Sequence, residues 1–100
     1  MTDVSHDLAM ADLLRDDPIF AVDLLNNILK DGDASELLVA LRQMTHAFGG
    51  VSAVAQAANV NPTQIYRTLS KVGNPSVKNL TGILRAMGLR LAVEPLTRAS

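Results

Sequence analysis

Residues 51–69 read VSAVAQAANVNPTQIYRTL, and this stretch decides the fold. Its pattern predicts two short helices, about Ser52–Ala58 and Pro62–Ser70, joined by a tight turn. Ala55 supplies the small residue that two closely crossing helices need. Asn59 is one of the few non-glycine residues that accept the left-handed backbone of such a turn. The stretch therefore predicts a helix-turn-helix, although a helical hairpin inside a protein-interaction domain has the same pattern.

The second helix of this pair carries a strong start signal. Asn61 is placed to cap it, and Pro62 suits its first position. Gln64 stands where a capping box has glutamate or glutamine, so it is either a capping residue or a base-reading one. The apolar residues expected to join the pair to the core are Val54, Ala58, Val60, Ile65 and Leu69.

The exposed side of the second helix is predicted to read DNA. The N-terminal part of a recognition helix enters the major groove, where glutamine pairs with adenine and arginine with guanine. Ser52, at the start of the first helix, is expected to hold a phosphate. Tyr66 either packs or donates to a phosphate. The predicted DNA-binding residues are Ser52, Thr63, Gln64, Arg67, Thr68, Lys71, Asn74 and Lys78.

Helix signals continue on both sides of this stretch. The further predicted helices are about Ser5–Leu14, Pro18–Lys30, Ala34–Phe48 and Val77–Met87. Residues 89–93 alternate apolar and polar side chains, which predicts a short strand paired with its copy across a dimer. The chain is thus predicted to be all-α, a bundle of five to six helices with one terminal strand. We expect a single domain over residues 1–100, with a helical extension at 1–36 and a DNA-binding core at 37–95.

The charges are divided unevenly along the chain. Residues 1–36 carry nine acidic and two basic side chains, a local charge of −7. Residues 37–100 carry seven basic residues and one acidic residue, a local charge of +6. The division favours two different partners, a polyanion for one part and a basic molecule for the other. A solvated acidic surface is the alternative.

Several functional classes are disfavoured by what the sequence lacks. It has no cysteine, and His6 and His46 stand far apart, so we expect no metal and no cofactor. No nucleophile elbow and no phosphate-binding glycine loop occurs, so we do not expect an enzyme. There is no signal-peptide pattern and no apolar run of the roughly 20 residues that span a bilayer. We expect a cytoplasmic protein without membrane contact.

Five further motifs occur along the chain: DDP at 16–18, KDGD at 30–33, IYR at 65–67, GNP at 73–75 and LRAMGLRLAVEP at 84–95. Together they resemble the addiction-module antidote family, HigA-like antitoxins with an Xre-type DNA-binding fold. The resemblance covers about residues 13–95, in the family's order and spacing. Two departures stand out: Asn59 replaces the usual turn glycine, and an apolar residue expected at Thr68 occurs at Leu69.

The resemblance implies two activities. An antitoxin of this kind binds a small basic toxin of the RelE/ParE superfamily, whose RelE-like members cleave messenger RNA. It also dimerises on its operator DNA and represses its own operon. Two alternatives are a stand-alone transcriptional regulator without a toxin partner and a protein-interaction module without a DNA role. Nothing in the resemblance identifies the residues that bind the toxin; the acidic region is our own inference from charge.

Overall fold

The computed structural model describes the backbone of residues 2–96 and the side chains from Ser5 onward. Within these residues the chain forms six helices and no strand. The helices are α1 (Thr2–Asp16), α2 (Pro18–Asp31), α3 (Ala34–Ala47), α4 (Val51–Ala58), α5 (Pro62–Thr68) and α6 (Val77–Ala86). The predicted helical bundle is therefore confirmed. None of the described helices is both long and apolar enough to cross a membrane.

Short polar side chains begin four of the helices, α2, α3, α5 and α6, because each accepts a hydrogen bond from an otherwise unpaired backbone N–H. Asp17 accepts from Phe20 N at 3.0 Å and opens α2. Asp33 accepts from Glu36 N at 2.9 Å and opens α3. Ser76 does the same for α6. These starts lie where the sequence predicts them.

One core runs through all six helices, and α3 lies at its centre. The largest fully buried apolar side chains are Leu14, Leu41, Met44, Val54, Ile65, Leu69 and Ile83. They come from α1, α3, α4, α6 and the α5 region, while α2 adds Ala21 and Leu25. Helix α3 packs against α1, α2, α4 and α5. Helices α1 and α2 therefore share the core of the predicted DNA-binding helices.

The C-terminal segment departs from prediction. Residues 89–96 form no regular secondary structure, so the strand predicted at 89–93 is not supported. A strand needs a neighbouring strand to pair its N–H and C=O groups, and no other described segment is a strand. The alternation in the sequence is real, but Leu91, Val93 and Leu96 are all exposed. Val77, the first residue of α6, is also exposed.

A buried ion pair joins α1 to α3 and reaches the end of α5. Arg42 Nε donates to Asp7 Oδ2 at 2.6 Å, and the Asp7 side chain is 3% exposed. Arg42 Nη1 donates to the carbonyl of Leu69, which ends α5, at 3.3 Å. Gln43 Nε2 lies 3.4 Å from Asp7 Oδ1. One guanidinium therefore connects the acidic N-terminal region to the predicted recognition helix.

Candidate nucleic-acid interface

The turn between α4 and α5 is built on one left-handed residue. Asn59 has φ 60°, and among the described residues it is the one non-glycine residue with positive φ. Its N–H donates to the carbonyls of Ala55 and Gln56, and Val60 N donates to Ala55 O at 2.9 Å. These bonds close the end of α4 and reverse the chain. Ala55 is fully buried, as the close approach of the two helices predicts.

A capping box opens α5. Asn61 Oδ1 accepts from Thr63 N at 2.8 Å, and Pro62 occupies the first helical turn. Gln64 Oε1 accepts from Asn61 N at 3.4 Å, the long end of hydrogen-bond geometry. Of the two roles left open for Gln64, the structure therefore shows the capping one. Its amide nitrogen remains outside that bond, on an exposed side chain.

The exposed surface of α5 agrees only in part with the predicted set. Thr63, Gln64 and Arg67 are exposed, whereas Thr68 is half-buried. Ile65 and Leu69 are fully buried and anchor the opposite side of the helix. Helix α5 is thus rotated so that Thr63, Gln64 and Arg67 face solvent and Thr68 faces the protein.

The start of α4 leaves backbone donors uncapped by any side chain. Gly50 occupies the N-cap position with φ 87°, and no side chain caps this end. Ser52 lies exposed in the first turn. An uncapped helix N-terminus with an exposed hydroxyl is suited to an anionic oxygen. This geometry fits the phosphate-holding role predicted for Ser52.

The three residues predicted beyond α5 have different surroundings. Asn74 and Lys78 are exposed in the loop before α6 and in its first turn. Lys71 instead lines a groove together with Asp33 and Glu36 from the start of α3. Its carbonyl accepts from Ser35 Oγ at 2.9 Å. Lys71 therefore borders the acidic part of the molecule as well as the end of α5.

The charged residues in the sequence of α4, α5 and the following loop are all basic. Between residues 51 and 76 the charged side chains are Arg67 and Lys71, with no acid among them. Arg67 is exposed in the last turn of α5. A segment without carboxylates of its own adds no repulsion against an approaching phosphate backbone.

Two contacts around this surface were not predicted. The ring of Tyr66 packs 5.9 Å from the ring of His46, and Tyr66 Oη lies 3.5 Å from His46 Nε2. The packing role left open for Tyr66 is thus the one observed. Arg15 donates to the carbonyls of Ala47 and His46 at 3.2 and 3.1 Å, which caps the end of α3.

The buried Asp7–Arg42 pair was not predicted either, although the sequence contains a signal for it. Asp7 lies four residues before Ala11 and seven before Leu14, so it shares the buried side of α1. Leu8, the next residue of α1, is half-exposed. Among the described residues, no group of three or more histidines, aspartates and glutamates is placed to hold a metal ion.

Comparison with known proteins gives one match. A family model described as "Probable addiction module antidote protein" matches residues 4–95. No curated protein and no solved structure matches the chain.

Proposed function

Because the chain belongs to the addiction-module antidote family, we propose that it is the antitoxin of a toxin–antitoxin module and acts by binding rather than by catalysis. In this proposal it binds a small basic toxin of the RelE/ParE superfamily directly in the cytoplasm. It also represses its own operon as a homodimer bound to operator DNA. A stand-alone regulator without a toxin is the competing function.

One observation carries the DNA-binding part of the proposal. The first turn of α5 is capped and presents Thr63 and Gln64 to solvent, Arg67 is exposed in the last turn, and no acidic residue occurs in the sequence between residues 51 and 76. Glutamine and arginine at such positions can form bidentate contacts to adenine and guanine, each worth about 1–3 kcal/mol of discrimination. The uncapped start of α4 supports a phosphate contact beside it.

Dimerisation is supported by the exposed apolar residues of the C-terminal segment. Leu91, Val93 and Leu96 leave apolar surface in water that a second copy would cover. A twofold arrangement would set two recognition helices one DNA turn apart, about 34 Å. Light scattering tests dimerisation by measuring the mass of the free chain and of its DNA complex. A chain truncated after Gly88 that dimerises with full affinity would contradict this role of the segment.

The DNA test uses the promoter fragment upstream of the chain's own gene. Titration followed by fluorescence anisotropy, with a scrambled fragment as reference, gives the operator preference. Arg67→Ala is expected to reduce that preference about tenfold or more, whereas Arg85→Ala, an exposed arginine in the last turn of α6, leaves it unchanged. Contact with about six phosphates gives a slope of log affinity against log salt of about −5.

Gln64 needs a variant that separates its two roles. Gln64→Glu keeps the acceptor oxygen of the capping box but removes the amide that donates to adenine. We expect it to keep the melting temperature of the parent chain and to lose operator preference. Gln56→Ala, an exposed glutamine on α4, is the control and should change neither quantity. If Gln64→Glu and Arg67→Ala both keep full preference, α5 is not the reading helix.

The toxin part is tested by co-purification and by rescue. The tagged chain should capture, in fixed stoichiometry at moderate salt, a small basic protein encoded beside its gene. Co-expression should also restore growth and suppress messenger-RNA cleavage by that protein. Operator binding with no such partner would favour the stand-alone regulator.

A further inference from the structure

Helices α1, α2 and α3 border an open, largely apolar groove of about 500 Å³. Its apolar lining comes from Met10 of α1, Leu24 and Ile28 of α2, and Val39 of α3. Each of these four side chains is partly exposed although it belongs to a helix packed on the core. Apolar side chains that converge on an open groove are typical of a binding surface.

One part of this groove is acidic. Asp33 and Glu36, in the first turn of α3, line it beside the apolar residues. Asp33 is engaged as the cap of α3, while the carboxylate of Glu36 is not the acceptor in that cap. Lys71 is the one basic side chain in the lining. Residues 1–36 of the sequence, which include Asp33 and Glu36, carry a local charge of −7, and Asp7 among them is paired with Arg42.

We propose that this groove is the docking site for a segment of the toxin that carries an apolar side chain flanked by lysine or arginine. The inference rests on the proposed antitoxin function and identifies the surface that the function requires. An apolar side chain would fill the space between Leu24, Ile28 and Val39, and the flanking cation would meet Glu36. Interfaces of this kind combine a desolvated apolar centre with a charged rim.

Charge decides among the possible occupants. Nucleic acid is repelled by the two carboxylates of the groove, which outnumber its one basic side chain, Lys71. A second copy would have to bring another surface of the chain, and its own acidic region would be repelled in the same way. A basic protein gains both the apolar contacts and the charge complementarity. The groove therefore fits the partner that membership of the antidote family requires.

The first experiment reverses charge inside and outside the groove. The small basic protein encoded beside this gene, purified, is titrated into the full-length chain by calorimetry. Glu36→Lys is expected to weaken its binding about tenfold or more, because it places a like charge in the docking site. Asp23→Lys makes the same charge change at an exposed position of α2 outside the groove lining. That control should remain within about threefold of the parent chain, a loss that reflects long-range charge alone.

The second experiment replaces neighbouring apolar residues of α2. Ile28→Lys puts a cation into the groove, while Leu29→Lys makes the same change at a residue that is 62% exposed outside it. We expect a loss of affinity of about tenfold for the first and none beyond about threefold for the second. Melting curves of all four variants show whether a lost affinity reflects lost folding. If Ile28→Lys unfolds the chain, the comparison of Glu36→Lys with Asp23→Lys still decides the test.

The outcomes separate this inference from the function on which it rests. Equal losses of affinity in the groove variants and in their controls would overturn the proposal that the groove is the docking site. Binding of the basic protein by the parent chain would still support the antitoxin function. Failure of the parent chain to bind any basic protein encoded beside it would overturn the antitoxin function, and the groove proposal with it.

Discussion

At the scale of single residues, two glycines differ in the space that an added side chain would find. A Cβ on Gly73 would lie 1.8 Å from the carbonyl oxygen of Thr68, inside the turn that follows α5. A Cβ on Gly82 would lie 3.5 Å from Ala58, an ordinary contact between α6 and α4. A glycine inside a helix costs about 1 kcal/mol relative to alanine, which favours a close contact at Gly82, but the position that excludes a side chain is Gly73.

This difference gives a paired prediction. Gly73→Ala should lower the free energy of unfolding by about 1–3 kcal/mol, because the backbone of the turn must move. Gly82→Ala should leave it unchanged or raise it by up to about 1 kcal/mol, because alanine favours the helix and fits the contact. Urea denaturation of both variants measures the two values. Equal destabilisation would contradict the packing described for both glycines.

At the scale of helices, most starts and ends were predictable because their causes are local. A cap, a first-turn proline or a left-handed residue acts within three or four positions, so Asp17, Asp33, Asn59, Asn61 and Ser76 all mark boundaries that the sequence already carries. The predicted strand failed for the opposite reason, since pairing needs a partner segment that no local pattern supplies.

The candidate site was predictable from the sequence to the same extent as the helix boundaries. The exposure of Thr63, Gln64 and Arg67 follows from the spacing of buried Ile65 and Leu69, which the sequence shows. The half-burial of Thr68 and the groove depend on how separate helices pack, and periodicity within one helix does not encode that. The pairing of Asp7 with Arg42 belongs to the same class, because 35 residues separate the two.

The ion pair between α1 and α3 yields the second prediction. Asp7→Ala leaves the buried Arg42 guanidinium without its carboxylate, which should cost about 3 kcal/mol of the free energy of unfolding. The control is Asp12→Ala, which removes the partner of Arg15 from a pair whose two side chains are 77% and 51% exposed. Because solvent screens an exposed pair, we expect at most about 0.5 kcal/mol there. Comparable losses in chemical denaturation would show that the Asp7 pair contributes no more than a surface one.

At the scale of the whole molecule, the acidic N-terminal helices belong to the folded core. Leu14 of α1 and Leu25 of α2 are buried in the same cluster as Ile65 and Ile83. The division into an extension at 1–36 and a core at 37–95 therefore describes charge, whereas packing joins the two parts.

This packing predicts that the core region will not fold alone. A fragment of residues 37–96 would expose the sides of α3 that α1 and α2 cover, and it would lack the carboxylate that pairs with Arg42. We expect no cooperative thermal transition by circular dichroism, while the full chain melts in one step. A fragment that melts cooperatively would show that the N-terminal helices are a separable extension.

The hydrogen bond from Ser35 Oγ to the carbonyl of Lys71 has a thermodynamic consequence. It joins the groove, which Ser35 and Lys71 both line, to the segment that directly follows α5. If a toxin occupies the groove and DNA occupies α5, the two ligands contact segments that this one bond connects. Linkage then makes the effect reciprocal: the factor by which toxin alters operator affinity equals the factor by which operator alters toxin affinity.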